Sequence, residues 1–414
     1  MRTLVLAGDY PWPEDRGSRI RLLTILRGLR RVSAVDLCSI ISQSRTDIDP
    51  PEPSLGLERT TCIGYDNRPA SGLSRVRAAA RLGIPLEIPV ADRDRVRQEV
   101  SAFAEGPYDL VWYFRVRPWA LAGEHPAGFS VLDLDDLEDH KIRIRLEQEA
   151  TRPRSQLERA KAMVARAVSK DEARRWARLQ RRASEGMAAT IVCSELDADR
   201  ARSSGITRVE VLPNSVRPAD PRPPSRRGER APTLLFQGLL SYPANADAAR
   251  YLVNEVLPAL RSLVPEACVR LVGVAPTAVQ ALHDPPRTTV VGHVVSMAPE
   301  LERADLVVVP LRFGSGTRIK IIEAFANRIP VVSTSLGAEG LGAVDGRHLL
   351  LGDTADAMAA ACARILGDDE LRMHLVDSAH TLFVEQFSSD AAELRVAQLV
   401  TRLHDQNAVV RHGT

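Results

Sequence analysis

Close to the middle of the chain runs Val216-Arg-Pro-Ala-Asp-Pro-Arg-Pro-Pro-Ser-Arg-Arg-Gly-Glu-Arg-Ala-Pro232, five prolines and a glycine among charges. Proline lacks an amide proton and fixes its own backbone, so this stretch packs as neither helix nor strand. It separates two folding regions, and the pattern on either side is the same: short apolar runs alternating with amphipathic helical stretches. Before it come Thr3–Ala7, Val35–Ile41, Leu110–Phe114, Ser130–Leu134, Thr190–Cys193 and Val209–Leu212. After it come Thr233–Phe236, Val269–Gly273, Thr289–Gly292, Leu306–Pro310, Pro330–Ser333 and His348–Leu351. Near-continuous apolar runs of this length are parallel strands buried on both faces and covered by helices. The expected fold class is α/β, two doubly wound Rossmann-like domains facing across a cleft. The expected divisions are 1–215, a linker at 216–232, a second domain at 233–385, and a terminal helix at 386–414.

Length and composition agree with this reading. The 414 residues need two cores at roughly 100–200 residues per domain. A hydrophobic share of 44% excludes disorder over most of the length. The net charge of +2 gives no global field for nucleic acid, so no nucleic-acid partner is expected. No apolar run approaches the roughly 20 residues that span a bilayer. Asp9 interrupts the N-terminal apolar run before a signal sequence could form, which makes the expected location cytoplasmic. The cysteines at 38, 62, 193, 268 and 362 form no CxxC pair, so neither a zinc site nor a disulfide framework is expected.

One segment departs from the alternation. Residues 141–182 hold fourteen basic side chains against five acidic ones. They read as one or two helices with a break at Pro153, whose apolar face (Leu157, Ala160, Met163, Val164, Ala167) belongs against a core. A solvated, salt-bridged face is the ordinary reading of such a run. The other is a site for an anionic acceptor or peripheral membrane contact.

Open parallel sheets bind ligands at the carboxyl ends of their strands. The first such loop, Gly8 to Ser18, leads into a helix, and Gly17 there can let a phosphate or substrate oxygen approach the backbone amides. The stronger element is Leu311-Arg-Phe-Gly-Ser-Gly-Thr-Arg-Ile-Lys-Ile-Ile-Glu-Ala-Phe-Ala326. A Gly-Ser-Gly-Thr turn feeds a helix that opens with Arg318 and Lys320. The amides of Gly316 and Thr317 and the helix dipole favour an anion. Arg318 can clamp two phosphate oxygens, and Lys320 adds a point charge. Glu323 lies three residues beyond Lys320 on nearly the same face. A carboxylate beside a diphosphate suits a vicinal diol, and diphosphate with ribose is a nucleotide.

The stretch from Pro310 to Gly340, with Phe236-Gln-Gly-Leu-Leu-Ser-Tyr-Pro-Ala-Asn-Ala-Asp-Ala248 and Val211-Leu-Pro-Asn-Ser215, resembles family 4-like glycosyltransferases of the GT-B fold. The resemblance implies an NDP-sugar-dependent hexosyltransferase. Its first domain would face the acceptor, its last helix would return to that domain, and it would act with retention. Glu323 matches the second glutamate of the family's E-x7-E motif, which binds donor ribose. The first falls on Ser315, at the donor-sugar position. The family's Arg…Lys-Gly diphosphate pair is absent from the loop 238–247, so Arg318 and Lys320 take that role. Where relatives place a histidine near the reacting sugar, this chain has the acidic run Asp133-Leu-Asp-Asp-Leu-Glu-Asp139, putting Asp135 or Asp136 there. An Asp-x-Asp also suits a divalent metal, but helix capping or acceptor contact is favoured and no metal is expected.

The function expected is sugar transfer from a nucleoside-diphosphate donor to a hydroxyl acceptor on a small molecule, lipid carrier or glycan. No cofactor is needed, the nucleotide sugar being a substrate. A sugar-nucleotide epimerase of the same fold, or a non-catalytic nucleotide-sugar-binding partner protein, are the rival readings.

Overall fold

The apolar runs become strands of two parallel sheets in the computed structural model, which describes residues 1–14, 16–43, 55–66, 83–150, 156–219, 230–314, 316 and 318–412. The first sheet holds β1 (Arg2–Ala7), β2 (Ala34–Ser42), β3 (Arg59–Tyr65), β4 (Tyr108–Phe114), β5 (Ala127–Asp135), β6 (Ala189–Val192) and β7 (Val209–Val211). Their order is β3-β2-β1-β4-β5-β6-β7. The second holds β8 (Thr233–Gln237), β9 (Cys268–Val272), β10 (Thr288–Gly292), β11 (Leu306–Val309), β12 (Val331–Ser333) and β13 (Leu350–Leu351), in the order β10-β9-β8-β11-β12-β13. In both, the strand order reverses beside the first strand, and that is where a doubly wound sheet opens a crevice. The chain divides into two compact units, Met1–Asn214 with Ala392–Thr414, and Ser215–Ala391.

Strand β3 has no counterpart among the apolar runs. It is an edge strand, buried only at Ile63 and Tyr65, so its sequence need not be apolar throughout.

Alternation along β1 shows how the first unit packs. Leu4 and Leu6 join a core on one face with Trp176 and Leu179. Val5 and Ala7 join the core on the other, with Leu22 and Leu26 of helix α1 (Gly17–Arg30). Helices α2 (Arg93–Phe103), α3 (Val116–Ala122), α4 (Glu138–Ala150), α5 (Gln156–Ser184) and α6 (Glu195–Ser203) complete the order before the second sheet. Helix α5 meets the core through Ala173, Trp176, Leu179 and Ala183. The expected core face further along it is not one: Met163 is 71% exposed and Ala167 is exposed too. The buried arc begins only at Glu172, so the earlier apolar residues have no sheet beneath them. The side chains of Leu157, Ala160 and Val164 lie outside the described residues, as does Pro153.

The second unit has one continuous core in which Leu234, Phe236, Val307 and Val309 pack with Ile321, Ile322 and Phe325. Its helices are α7 (Pro243–Tyr251), α8 (Leu257–Arg261), α9 (Thr277–Gln280), α10 (Ala298–Arg303), α11 (Ile319–Ala326), α12 (Ala355–Gly367) and α13 (Asp369–Leu382). The last helix, α14 (Ser389–His412), belongs to the first unit from Ala392 onward. It lies so close to α1 that a Cβ on Gly28 would stand 2.6 Å from Val396 Cβ. Of the linker, residues 220–229 lie outside the described residues.

Candidate functional site

In the second unit the carboxyl ends of β8, β9 and β11 meet around two glycines. Gly273, directly after β9, has φ +132°, and a Cβ there would fall 1.8 Å from the carbonyl oxygen of Gly238. Only a residue without a side chain allows that approach. Gly238 itself, after β8, has φ +142°, and a Cβ on it would stand 3.2 Å from Lys320 Nζ. These contacts leave the lysine's ammonium directly against bare backbone at the mouth of the central strand.

Lys320 and Glu323 share the less buried side of α11, whose Ile321, Ile322, Ala324 and Phe325 face the core. Each is then fixed by a residue from the β8 end. Lys320 Nζ donates to Asn245 Oδ1 at 2.9 Å and lies 4.3 Å from the centre of the Phe236 ring. Gln237 Nε2 donates to Glu323 Oε2 at 2.5 Å. Gln237 is the last residue of the central strand and only 4% exposed. Burial pulls the Lys320 pKa down to about 7, with the Arg318 charge adding to the effect and Glu323 opposing it. Burial also pushes Glu323 upward, against the Gln237 hydrogen bond and the Lys320 charge. The pair is therefore held in a dry environment where an approaching anion would be felt strongly.

Arg318, the N-cap residue of α11, is buried and folds back on its own turn, Nη2 donating to Gly314 O at 2.9 Å. Its guanidinium braces the glycine turn while its charge acts on Lys320. Gly316 stands in the same turn with φ +87°. Ser315 and Thr317 lie outside the described residues. Arg312 from the same loop is engaged elsewhere, bidentate to Asp247 at 2.8 and 3.0 Å and stacked 4.5 Å from the Tyr251 ring centre. The loop after β12 is strapped to the β11 end, with Thr334 Oγ1 donating to Leu311 O. Among the described residues the site is thus a glycine-built floor that carries one amine, Lys320, and one carboxylate, Glu323.

The acidic run of the first unit is built differently. Asp133, wholly buried at the end of β5, accepts from Arg21 Nη2 at 2.9 Å and Nε at 3.1 Å. Arg21 also donates to Leu212 O at 2.8 Å and Asn214 Oδ1 at 3.0 Å. Asp135 takes a 2.6 Å bond from Arg115 Nη2. Both Asp135 (φ +60°) and Arg115 (φ +72°) sit in the left-handed region, a strained choice for side chains of this size. Burial works against the Asp135 charge, but Arg115, Arg21 and Lys141 outweigh it and hold the carboxyl well below the usual range. Asp136 pairs with Lys141 at 3.2 Å, and Lys141 also reaches Glu138 at 3.1 Å. Each aspartate therefore has a cation of its own, and among the described residues no His/Cys/Asp/Glu group is placed to hold a metal ion. Gly17 opens α1, but Ser18 Oγ donates to Asp9 Oδ2 at 2.7 Å, so an internal carboxylate already stands at that helix's first turn.

The sequence singled out Arg318, Lys320, Glu323 and Gly316, and the structure brings them to one turn and one helix face. It missed Gln237, Asn245 and Gly273. Gln237 and Gly273 directly follow or end apolar runs, and that position is the signal that could have found them; Asn245, in the first turn of α7, carries no such mark.

Residues 231–368 match the family described as glycosyl transferases group 1. No curated protein sequence is significantly similar to the chain. Among solved structures, sucrose-phosphate synthase from Thermosynechococcus elongatus superposes with a TM-score of 0.69 at 16% identity, covering 98% of this chain and 100% of that one. HepE from Anabaena, solved in complex with UDP-glucose, gives 0.59 at 15% identity over 97% and 100% of the two chains. WaaG, a glycosyltransferase involved in lipopolysaccharide biosynthesis, gives 0.59 at 15% identity over 96% and 98%. At these identities the structural likeness shows the two-sheet GT-B fold.

Proposed function

We propose that this chain, whose residues 231–368 match the group 1 glycosyl transferases and whose two sheets have the GT-B fold, moves a sugar from a nucleoside-diphosphate donor to a hydroxyl acceptor, with retention and without a metal. The observation that carries this reading is the placement of Lys320 and Glu323 on one face of α11, against the glycine-built end of β8. Lys320 meets the diphosphate as a point charge. Arg318 adds its charge from inside the turn, and the Gly316 amide, with that of Thr317 as assigned from the sequence alone, completes the anion site. Glu323, with one oxygen already held by Gln237, offers the other to the ribose hydroxyls. Ser315 is assigned to the donor sugar by its place in the E-x7-E pattern.

As the glycosidic bond breaks, negative charge grows on the leaving diphosphate. Preorganised donors aimed at that charge supply the electrostatic part of catalysis. Asp135 and Asp136 are assigned to shaping the loop after β5, since each is already neutralised by a cation inside the fold. Gly17 is given no phosphate, because Asp9 occupies the first turn of its helix. UDP-glucose is the first donor to try, being the ligand in the HepE structure.

A thermal-shift panel of UDP, GDP, ADP and their glucose conjugates tests the donor assignment. A ligand at about 100 times its dissociation constant stabilises the fold by about 2.7 kcal/mol. Turnover with the best donor should survive EDTA. Loss of turnover restored by Mg²⁺ would return Asp133, Asp135 and Asp136 to the role of ligands.

A further inference from the structure

Helix α5 carries a ladder of like charges. Arg166, Lys170, Arg174, Arg178 and Arg182 follow one another at strict four-residue spacing, and all five are exposed. Arg181 is exposed between the last two rungs. Among the described residues none of the five forms an ion pair. Other helices of this chain treat their cations differently. Arg95 is paired with Asp92 and Glu99, Arg200 with Asp197, Arg202 with Asp199, and Arg372 with Asp369. Even within α5, Arg175, which lies off the ladder, is paired with Asp171. The basic run is salt-bridged at Lys141, Arg143 and Arg175, and the ladder is the part of it that forms no such pairs among the described residues.

Like charges four residues apart oppose helix formation. Four consecutive such steps stand against the stability of α5: of the two acids between Lys170 and Arg174, Asp171 is paired with Arg175 and Glu172 is buried against the Leu86 amide. The opposite face is already committed to the core through Trp176 and Leu179. At its C-terminal end the ladder meets more positive charge: the Arg93 guanidinium, disfavoured first by burial and then by Arg97, also feels Arg182. At its N-terminal end, three residues before Arg166 and on the same side of the helix, stands the apolar side chain of Met163, 71% exposed. Among the described residues of α5 no aromatic side chain is exposed on this face, and stacking on nucleic-acid bases needs one.

We propose that the exposed face of α5 docks the enzyme on an anionic lipid surface, the cation ladder lying along the headgroups and Met163 entering the interface. Cations near such a surface contribute individually and additively, about fivefold in partition for each. An apolar side chain then anchors what electrostatics has gathered. The docking does not depend on the donor assignment, since no residue of the second unit takes part.

The test is co-sedimentation of the full chain with vesicles. Binding is expected to phosphatidylcholine vesicles containing about one-third phosphatidylglycerol and not to pure phosphatidylcholine, with release when salt is raised and the Debye length shrinks to about 3 Å. Arg174→Glu removes two charge equivalents and should weaken binding about 25-fold. It also places a carboxylate between Lys170 and Arg178, so its melting temperature should hold or rise. Arg178→Gln, a milder change, should weaken binding about fivefold. Met163→Ser should weaken it several-fold with the salt dependence retained. Equal binding to neutral vesicles, or no binding to anionic ones, overturns the proposal. So does undiminished binding by both arginine variants. Displacement of vesicles by single-stranded RNA at equal phosphate concentration would make the face a polyanion site. Displacement by free glycerol phosphate would make it a discrete phosphate pocket. Either result would also overturn it.

Discussion

Gln237 ends the central strand of the second sheet with its amide nitrogen 2.5 Å from Glu323 Oε2, joining strand β8 to helix α11 through the carboxylate assigned to the donor ribose. The glutamine is buried, so the bond fixes which way the carboxylate faces. It also favours the charged form that burial opposes. Removing Gln237 should then act on the nucleotide through Glu323. Gln237→Ala is expected to raise the donor Michaelis constant with little change in turnover, by the equivalent of about 1–2 kcal/mol for a hydrogen bond to a charged group. In a Glu323→Ala background the same change should add almost nothing. A donor whose ribose lacks its hydroxyls should be equally indifferent. Additive losses in the double variant would show that Gln237 supports the strand rather than the carboxylate.

The position of Lys320 predicts a pH dependence. Its ordinary value of 10.5 falls to about 7 in the fold. Between pH 7 and 10.5 the unfolded chain holds a proton that the folded one has released. The stability of the free protein should accordingly rise with pH across that window. Below pH 7 both states hold the proton, and the full cost of burying the charge is present. A bound diphosphate favours the ammonium, so binding above pH 7 must take up a proton. Affinity for a nucleoside diphosphate should weaken by up to about tenfold for each unit above pH 7. Calorimetry in two buffers of different ionisation enthalpy should record that uptake, and Lys320→Met should abolish it. A flat affinity from pH 7 to 9 would contradict the contact.

Gly273 and Gly367 offer a contrast in what a methyl group does. At Gly273 a Cβ would meet the Gly238 carbonyl oxygen at 1.8 Å with φ at +132°. Gly273→Ala should destabilise the second unit by roughly 3 kcal/mol or more and blunt nucleotide binding with it. At Gly367, the last residue of α12, nothing lies within 4 Å of the added atom. Gly367→Ala should be neutral or stabilising by up to about 1 kcal/mol. Denaturant melts of both variants check this. Equal stability of the two would mean that β9 ends differently from the description above.

The architecture was legible because parallel strands buried on both faces write themselves as apolar runs. The Val307–Val309 and Leu4–Leu6 segments could hardly be anything else. Edge strand β3 was not legible, since Arg59, Thr61 and Cys62 need no burial there. The Arg318-Ile-Lys…Glu323 element was readable because chemistry and helical spacing coincide within six residues. Gln237 and Asn245 were not, since they come within reach of Glu323 and Lys320 only after β8 and β11 pair across more than seventy residues of chain. The face of α5 misled because periodicity marks which residues share a side but not whether anything lies against it. Met163 has the right spacing and no core beneath it.

Donor-saturation kinetics of Lys320→Ala and Glu323→Ala, with melting temperatures for both, bear most directly on the assignment of this site. Lys320 meets a charge that grows in the transition state, so its loss should lower turnover by about 10²–10³. Glu323 holds a ribose that is the same in ground and transition states, so its loss should raise the donor Michaelis constant with less effect on turnover. Neither side chain faces the core, so Glu323→Ala should melt near the wild-type temperature, while Lys320→Ala, relieved of a buried charge, should melt near or above it at pH 7. Wild-type kinetics in both would place the donor elsewhere, and a Glu323→Ala variant that merely melts early would make that glutamate a structural partner of Gln237.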